Sequence, residues 1–137
     1  MPPQLLKEDT LMKEIIATDR APGAIGPYSQ ANAFGELVFT SGQLPIDPAA
    51  GAIRAESIED QTRQALDNLK AVLEAAGSSL DNVLKTTCYL SDIGNFKRFN
   101  AVYAEYFPKD APARSCYEVA ALPQNALVEV EAIAARG

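Results

Sequence analysis

The chain has 137 residues, enough for one domain around a single hydrophobic core and too few for two. It contains no histidine and two cysteines, which excludes Ser-His-Asp and Cys-His catalytic groups and leaves too few ligands for a cysteine-rich zinc site. The formal net charge is −6 and the only adjacent basic pair is Lys97-Arg98, so the sequence lacks the cluster of cations that nucleic-acid binding needs.

Neither a membrane span nor a signal peptide is predicted. No apolar run approaches the roughly 18 residues that a spanning helix requires, and Glu8 and Asp9 interrupt the segment where a signal peptide would have its apolar core. Two cysteines do not make a disulfide framework, so we expect a cytoplasmic protein. Residues 1–12, which include Pro2-Pro3, are interpreted as an N-terminal tail and a candidate for disorder, followed by a single domain at residues 13–137.

The first part of this domain predicts short strands separated by loops. β-Branched and aromatic residues favour three strands, and Gly35-Glu36 is a two-residue connection typical of a hairpin between the second and the third. Prolines and glycines mark two loops. The predicted strands are residues 13–18, 31–34 and 37–41, and the predicted loops are residues 21–30 and 42–53.

Two amphipathic helices alternate with strands in the rest of the domain. Apolar residues at helical spacing predict a helix over 58–76, with Ser57 as its N-cap and Gly77 as its stop signal. A second helix is predicted from residue 95 or 96 to Phe107, before Pro108. The remaining strands are predicted at residues 83–90, 113–119 and 127–134, with a turn around 123–125. This order indicates an α+β fold, in which one mixed sheet carries two helices on one face.

Two helices on one face of a sheet leave its other face without a cover. In the last predicted strand, Val128, Val130, Ala132 and Ala134 form an apolar set that suits the helices. The opposite set mixes Leu127 and Ile133 with Glu129 and Glu131. We expect this second face to be buried against another subunit, with its charged residues reserved for a site.

Arg114, Glu129 and Glu131 are the charged residues best placed for chemistry. Arg114 lies inside a predicted strand, where it either forms an ordinary solvated or ion-paired residue, with Glu129 or Glu131 as partner, or clamps a carboxylate with its planar fork. The two glutamates point to the same side of their strand, so one pKa is a candidate for elevation. Either they belong to a surface face or are partners of Arg114 and Lys85, or one of them orients or deprotonates a water.

Five further residues are candidates for a site, and each also has an ordinary structural interpretation. Asn100 interrupts an apolar helix face, where it either caps nearby backbone or faces a pocket. Tyr28 in the Gly/Pro loop and Ser41-Gly42 at a strand end are compatible with plain packing and turn chemistry. Cys116 is most simply a small buried hydrophobic residue, because no histidine is available to activate its thiol.

Taken together, these positions lie in segments that resemble the RidA/YjgF family of small enamine/imine deaminases. The resemblance covers residues 15–135 and is carried by APGAIGPYSQA (21–31), FTSGQLPIDP (39–48), QALDNLKAVLEAAGSSLDNVLKTTCYL (64–90), FNAVYAEYF (99–107), PARSCYEVAALP (112–123) and VEVEAIA (128–134). It implies a chorismate-mutase-like α+β fold and a homotrimer whose sheets form an inner barrel, with clefts between subunits. It also implies hydrolysis of 2-aminoacrylate, 2-aminocrotonate and related imine acids to 2-oxo acids and ammonia, without metal or organic cofactor. These intermediates are released by pyridoxal-phosphate enzymes, which such activity protects.

The resemblance also assigns roles residue by residue. It implies that Arg114 binds the substrate carboxylate, that Glu129 positions the water, and that Glu131 is structural. Tyr28, which we place among the catalytic residues, and the substrate-binding set of Ser41, Gly42, Asn100 and Cys116 match other cleft residues, with Cys116 contributing its backbone carbonyl.

Two other functions remain open at this level. One is a non-enzymatic sensor that binds a small 2-oxo or carboxylic acid through the same Arg114. The other is an endoribonuclease or translation inhibitor, a label that some relatives carry and that the acidic charge balance disfavours.

Overall fold

The computed structural model describes residues 12–137, which form one mixed sheet, a small two-stranded sheet and two helices. The predicted tail lies almost wholly outside the described residues, so it stays a prediction. The helices are α1 (Ile58–Ala75) and α2 (Phe96–Tyr106). The strands are β1 (Glu14–Ile16), β2 (Ala31–Phe34), β3 (Leu37–Thr40), β4 (Ile46–Asp47), β5 (Ala52–Ile53), β6 (Val83–Leu90), β7 (Ala113–Glu118) and β8 (Val128–Ala135).

The main sheet has six strands in the order β1-β2-β3-β8-β6-β7. Only β6 and β7 run parallel to each other, and α2 connects them as a crossover helix. All the other neighbours are antiparallel, with β8 in the middle between β3 and β6. The predicted α+β class with a mixed sheet is therefore confirmed, and strand β7 forms one edge of the sheet.

The predicted loop at 42–53 was wrong in part, because it contains a second, two-stranded sheet. Strands β4 and β5 pair antiparallel, with Ile46 opposite Ile53. Asp47 closes the turn between them by accepting hydrogen bonds from the backbone N–H of Ala49 on Oδ1 and of Gly51 on its carbonyl oxygen. Gly51 has a φ of +69°, a conformation that favours glycine. The glycines and prolines thus predicted the turn correctly, but they did not reveal the two-residue strands that pair on either side of it.

Helix α1 begins and ends where the sequence predicts, within one residue. The Ser57 hydroxyl accepts a hydrogen bond from the backbone N–H of Asp60 at 3.1 Å and caps the first turn. At the other end Gly77 adopts a φ of +78°, which terminates the helix. The buried side of α1 contributes Leu66, Leu69 and Leu73 to the core.

The core lies between the two helices and one face of the main sheet. Val128, Val130, Ala132 and Ala134 of β8 are all buried there, as the alternation of the strand predicts. The other face of the sheet, here called the open face, bears no helix within residues 12–137. It comprises the alternate residues of the same strands, including Ile15, Phe34, Leu37, Phe39, Thr87, Tyr89, Tyr117, Glu129, Glu131 and Ile133.

Large apolar side chains on the open face remain in contact with solvent. Tyr117 is 54% exposed and Phe39 is 43% exposed, and Phe34 and Ile15 are exposed to a similar extent. So many exposed large apolar side chains on one sheet face are unusual on a monomeric protein. The single chain therefore has one covered and one uncovered sheet face, as the sequence predicts.

Candidate functional site

Four of the predicted site residues line one pocket, here called the Glu129 pocket. It has a volume of about 460 Å³, and its wall includes Tyr28, Ser41, Gly42 and Glu129. Most of the other lining residues belong to the two predicted loops, residues 21–30 and 42–53. They include Pro22, Ile25, Leu44 and Ile46. The pocket lies where β3 ends beside β8. The Glu129 side chain, which projects from the open face of β8, forms part of its wall.

Backbone pairing places Gly42 directly beside Glu129. Gln43 and Val130 exchange backbone hydrogen bonds of 2.8 and 3.2 Å, so the chain after β3 runs alongside β8. A Cβ atom built on Gly42 would lie 2.5 Å from Oε2 of Glu129 and 2.7 Å from its Cδ. The Glu129 carboxylate therefore occupies the space beside Gly42 that a side chain would fill, and a larger residue here would displace the carboxylate.

Ser41 and Tyr28 are joined through the loop that precedes β2. The Ser41 hydroxyl donates to the carbonyl oxygen of Ser29 at 2.6 Å, and its backbone N–H donates to the carbonyl oxygen of Gln30 at 2.9 Å. The phenol of Tyr28 accepts a hydrogen bond from the backbone N–H of Ile25 at 3.2 Å and is half exposed. Ser41 therefore fixes the loop that carries Tyr28, and its hydroxyl oxygen remains able to accept a hydrogen bond.

The environment of Glu129 favours its protonated form more than water does. Burial raises the pKa of Glu129 above its ordinary value of 4.5, and the nearby carboxylate of Glu131 raises it further. A carboxylate that is partly desolvated in this way is a stronger base once it is ionised. Glu129 thus has the chemistry of a general base that could accept a proton from water.

Arg114 and Asn100 lie in a different pocket, here called the Arg114 pocket. It has a volume of about 520 Å³ and is lined by Asn100, Tyr103, Ala104, Phe107, Ala111, Pro112 and Arg114. Nη1 of Arg114 donates a hydrogen bond of 2.7 Å to Oδ1 of Asn100. The guanidinium carbon lies 4.7 Å from the ring centre of Tyr103. Asn100 therefore faces a pocket, and it does so as a partner of the arginine.

The ion-pair interpretation of Arg114 is wrong. None of the five ion pairs within residues 12–137 includes Arg114, and Glu129 and Glu131 project from the opposite face of the sheet. An arginine that faces a pocket with an amide as its hydrogen-bond partner keeps N–H groups for an anionic ligand.

Cys116 behaves as a small hydrophobic side chain. It lies directly opposite Cys88 in the parallel pairing of β6 and β7, and it packs against the core from a half-buried position. Burial raises the pKa of the Cys116 thiol, which keeps it protonated. The role predicted for its backbone carbonyl stays a prediction.

The sequence did not reveal three buried amides and one tyrosine that shape these pockets. Nε2 of Gln30 donates to the carbonyl oxygens of Thr18, Ala21 and Pro22, and Nδ2 of Asn68 donates to those of Leu44 and Ile46. The third amide is Gln43, and the tyrosine is Tyr103. The signal for Asn68 was available, since it interrupts the apolar face of α1 as Asn100 interrupts that of α2.

Comparison with known proteins identifies the family. The family model described as Endoribonuclease L-PSP matches residues 18–136, which is most of the chain. The chain belongs to the RidA/YjgF family.

Two sequence relatives illustrate the range of names within the RidA/YjgF family. A RutC family protein of Pyrococcus horikoshii is 55% identical over 90% of this chain and 98% of its own length. The 2-iminobutanoate/2-iminopropanoate deaminase of Salmonella typhimurium is 48% identical over 91% of this chain and 99% of its own length. Some relatives are thus named for an imine deaminase activity, whereas others carry only a family name.

A solved structure of the family extends the comparison to a ligand. The crystal structure of E. coli TdcF with bound serine superposes with a TM-score of 0.86, at 46% identity, over 90% of this chain and 99% of that one. The fold of this chain is therefore that of the family.

Metal and membrane features are absent from the described part of the chain. Residues 12–137 contain no group of three or more cysteine, aspartate or glutamate side chains that could hold a metal ion. No helix in that range is long and apolar enough to cross a membrane.

Proposed function

We propose that this RidA/YjgF protein hydrolyses reactive 2-enamine and 2-imine acids to 2-oxo acids and ammonia. The observation that carries the proposal is the pair of complementary groups in its two pockets. One is a guanidinium that faces a pocket, and the other is a half-buried carboxylate with a raised pKa. Deaminase names among close relatives support the same activity.

The proposed reaction adds water to the carbon–nitrogen double bond. Arg114 holds the substrate carboxylate, which positions the imine carbon. Glu129 accepts a proton from a water molecule as the water oxygen bonds to the imine carbon, and it passes this proton to the imine nitrogen, which gives a neutral carbinolamine. Glu129 then takes the proton of the new hydroxyl group and delivers it to the amino nitrogen as the carbon–nitrogen bond breaks. Ammonia leaves, the carbon–oxygen double bond of the 2-oxo acid forms, and Glu129 is ionised again.

The other predicted residues supply contacts around these two groups. Tyr28 and Ser41 line the pocket beside Glu129, and Gly42 makes room for its carboxylate. We place the carbonyl oxygen of Cys116 as the acceptor for the imine N–H. Asn100 orients Arg114 through its 2.7 Å hydrogen bond.

We also propose that the site is completed in a homotrimer. The open face exposes Ile15, Phe34, Phe39 and Tyr117, and this surface would be buried against the sheets of neighbouring copies. The Arg114 pocket and the Glu129 pocket lie on opposite faces of one sheet, so a neighbouring copy would bring an Arg114 pocket to a Glu129 pocket.

A dehydratase-coupled assay tests the proposed activity. A pyridoxal-phosphate dehydratase supplies 2-aminoacrylate or 2-aminocrotonate, and appearance of the 2-oxo acid is followed with and without this protein. Arg114→Lys and Glu129→Gln are each expected to lower the rate enhancement by about 100-fold or more. Arg98→Lys is the matched control, since Arg98 is an exposed arginine of α2 that pairs with Glu59. No acceleration by the wild-type protein would refute the proposal.

A carboxylate sensor is the second candidate function. It is favoured by the similar structure with bound serine, which shows a ligand with a carboxylate in a relative. A sensor would bind 2-oxo acids through Arg114 without turnover. Binding of a 2-oxo acid in calorimetry, together with no acceleration in the coupled assay, would therefore support the sensor function. RNA cleavage, which the family name Endoribonuclease L-PSP suggests, is disfavoured because this acidic sequence has no cluster of cations that would bind phosphates.

A further inference from the structure

Tyr103 lies directly beneath the guanidinium of Arg114 and is not among the residues that the resemblance assigns. Its side chain belongs to α2, and it is 6% exposed. The ring centre is 4.7 Å from the guanidinium carbon, closer than the rings of Phe96 at 5.5 Å and Phe99 at 5.8 Å. The arginine is therefore surrounded by three aromatic rings of the same helix, with Tyr103 nearest.

The phenol of Tyr103 is anchored to the strand next to Arg114. Its oxygen is 2.7 Å from Oγ1 of Thr86, a fully buried residue of β6. Thr86 is also the in-register partner of Arg114 in the parallel pairing of β6 and β7. The three residues are therefore in mutual contact. Strand pairing places Thr86 beside Arg114, the Thr86 hydroxyl is hydrogen-bonded to the Tyr103 phenol, and the Tyr103 ring packs against the Arg114 guanidinium.

We propose that Tyr103, anchored by Thr86, is a positioning residue that holds the Arg114 guanidinium in the plane required to grip a substrate carboxylate. The substrate step rests on the proposed function, whereas the positioning of Arg114 does not. The ring restricts rotation of the guanidinium from one face through a cation–π contact. Asn100 takes one N–H of Nη1, and the remaining N–H groups are left for the ligand.

Tyr103 acts through the arginine and not on the reacting atoms. Its hydroxyl is hydrogen-bonded to Thr86 in the interior, so it is turned away from a ligand on Arg114. Burial raises the pKa of Tyr103, which keeps the phenol neutral at physiological pH. A carboxylate ligand would therefore meet the guanidinium with its supporting ring already in place.

Three substitutions separate the ring from its anchor. Tyr103→Leu removes the ring, Tyr103→Phe keeps the ring and removes the anchor, and Thr86→Val removes the anchor from the other side. Thr86→Ser keeps a hydroxyl and serves as the conservative rescue. Tyr106→Phe is the matched control, because it removes the hydroxyl of another tyrosine of the same helix. That hydroxyl donates a 2.8 Å hydrogen bond to Asp67 and not to Thr86.

Steady-state kinetics in the coupled assay form the first readout. We expect Tyr103→Leu to raise KM about tenfold, the size of a partly desolvated cation–π contact, with kcat changed less than twofold. Tyr103→Phe and Thr86→Val are expected to raise KM about threefold, while Thr86→Ser and Tyr106→Phe stay near wild type. Loss in kcat alone, or equal effects of Tyr103→Phe and Tyr106→Phe, would overturn the proposal.

NMR of the arginine side chains forms the second readout and does not require turnover. Wild-type protein labelled with ¹⁵N-arginine is expected to show slow rotation of the Arg114 guanidinium, assigned by comparison with Arg114→Lys. Rotation should become faster in Tyr103→Phe and faster still in Tyr103→Leu, and Tyr106→Phe should leave it unchanged. An Arg114 signal that does not respond to either Tyr103 variant would refute the positioning role, even if thermal stability falls. If wild type shows slow rotation but no turnover, the proposed function fails and the positioning of Arg114 stands.

Discussion

The Glu129 pocket is lined mainly by residues of loops, whereas the Arg114 pocket is lined mainly by residues of α2 and of the segment that follows it. In the first, a backbone bridge and a glycine without a side chain leave space for a carboxylate. In the second, Tyr103 and Asn100 hold a cation at the edge strand of the sheet. Glu129 is thus positioned next to a main-chain bridge, whereas Arg114 is positioned by side-chain contacts.

The two pockets also differ in which face of the sheet they use. Glu129 projects from the open face, and Arg114 projects toward the helices. Neither pocket within residues 12–137 contains both groups. If the proposed function is right, one chain supplies the ligand-binding half of a site and its neighbour the proton-accepting half, and experiments can address each half and the contact between them.

The largest expected effect is recovery of activity from two inactive variants. Arg114→Lys and Glu129→Gln each destroy one half, so each homotrimer should be inactive in the coupled assay. When equal amounts are unfolded together and refolded, neighbouring subunits can pair an intact Arg114 with an intact Glu129. We expect activity of about a quarter of the wild type, because that share of random contacts is intact on both sides.

Two controls make the mixing experiment decisive. Each variant refolded alone should remain inactive, and the wild type refolded in the same way should regain its activity. Mixtures that stay inactive while the wild type recovers would show that both halves belong to one chain. Sedimentation of the wild type as a monomer would contradict the assembly directly.

The next effect concerns Gly42, on which the space for Glu129 depends. Gly42→Ala places a Cβ 2.5 Å from Oε2 of Glu129, so the carboxylate has to move. We expect kcat to fall by about 100-fold, since displacement of a reacting group by about 1 Å has effects of that size. Thermal melting should change little, because the clash is with a side chain that can rotate away.

Gly23→Ala provides the matched control for Gly42→Ala. Gly23 lines the same pocket, but a Cβ built on it meets no atom within 4 Å. The control should retain nearly wild-type activity. Equal losses from both alanine variants would mean that pocket flexibility, and not the position of Glu129, limits the reaction.

A smaller effect is expected on the pH dependence of the rate. The raised pKa of Glu129 means that its basic form is depleted as the pH falls through that raised value. The coupled rate should therefore show an acidic limb with a midpoint above 4.5, and the residual rate of Glu129→Gln should lack it. An acidic limb that persists in Glu129→Gln would assign the titration to a group other than Glu129.

The sequence predicted the fold well because its signals were local. The Ser57 cap, the stop at Gly77 and the alternation in β8 each act within a few residues of themselves. The β4–β5 pairing was not predicted, because two-residue strands carry no periodic pattern.

The candidate site was predicted as a set of residues but not as a geometry. The resemblance supplied its members, yet the separation of Arg114 from Glu129 follows from strand order and from which face each residue occupies. Tyr103 and Asn68 were missed because their function depends on contacts with Arg114 and with the loop at Leu44, which are distant in sequence.

The smallest expected effect is on stability, and it tests the environment of Glu129 without any assay of activity. Because its pKa is raised by burial and by Glu131, the folded protein retains a proton at pH values where the unfolded chain has lost it. The contribution of Glu129 to the free energy of unfolding should therefore be fully favourable below pH 4.5. It should be lost as the pH rises from 4.5 through the raised pKa of the folded state. Glu129→Gln removes the titration, so its gain in melting temperature relative to wild type should grow with pH across that window. Glu56→Gln removes an exposed carboxylate that does not line the Glu129 pocket, and it serves as the control for the loss of one negative charge. A difference between Glu129→Gln and wild type that is independent of pH would mean that Glu129 is solvated like an ordinary surface glutamate, and the contrast between the two pockets would then be one of shape alone.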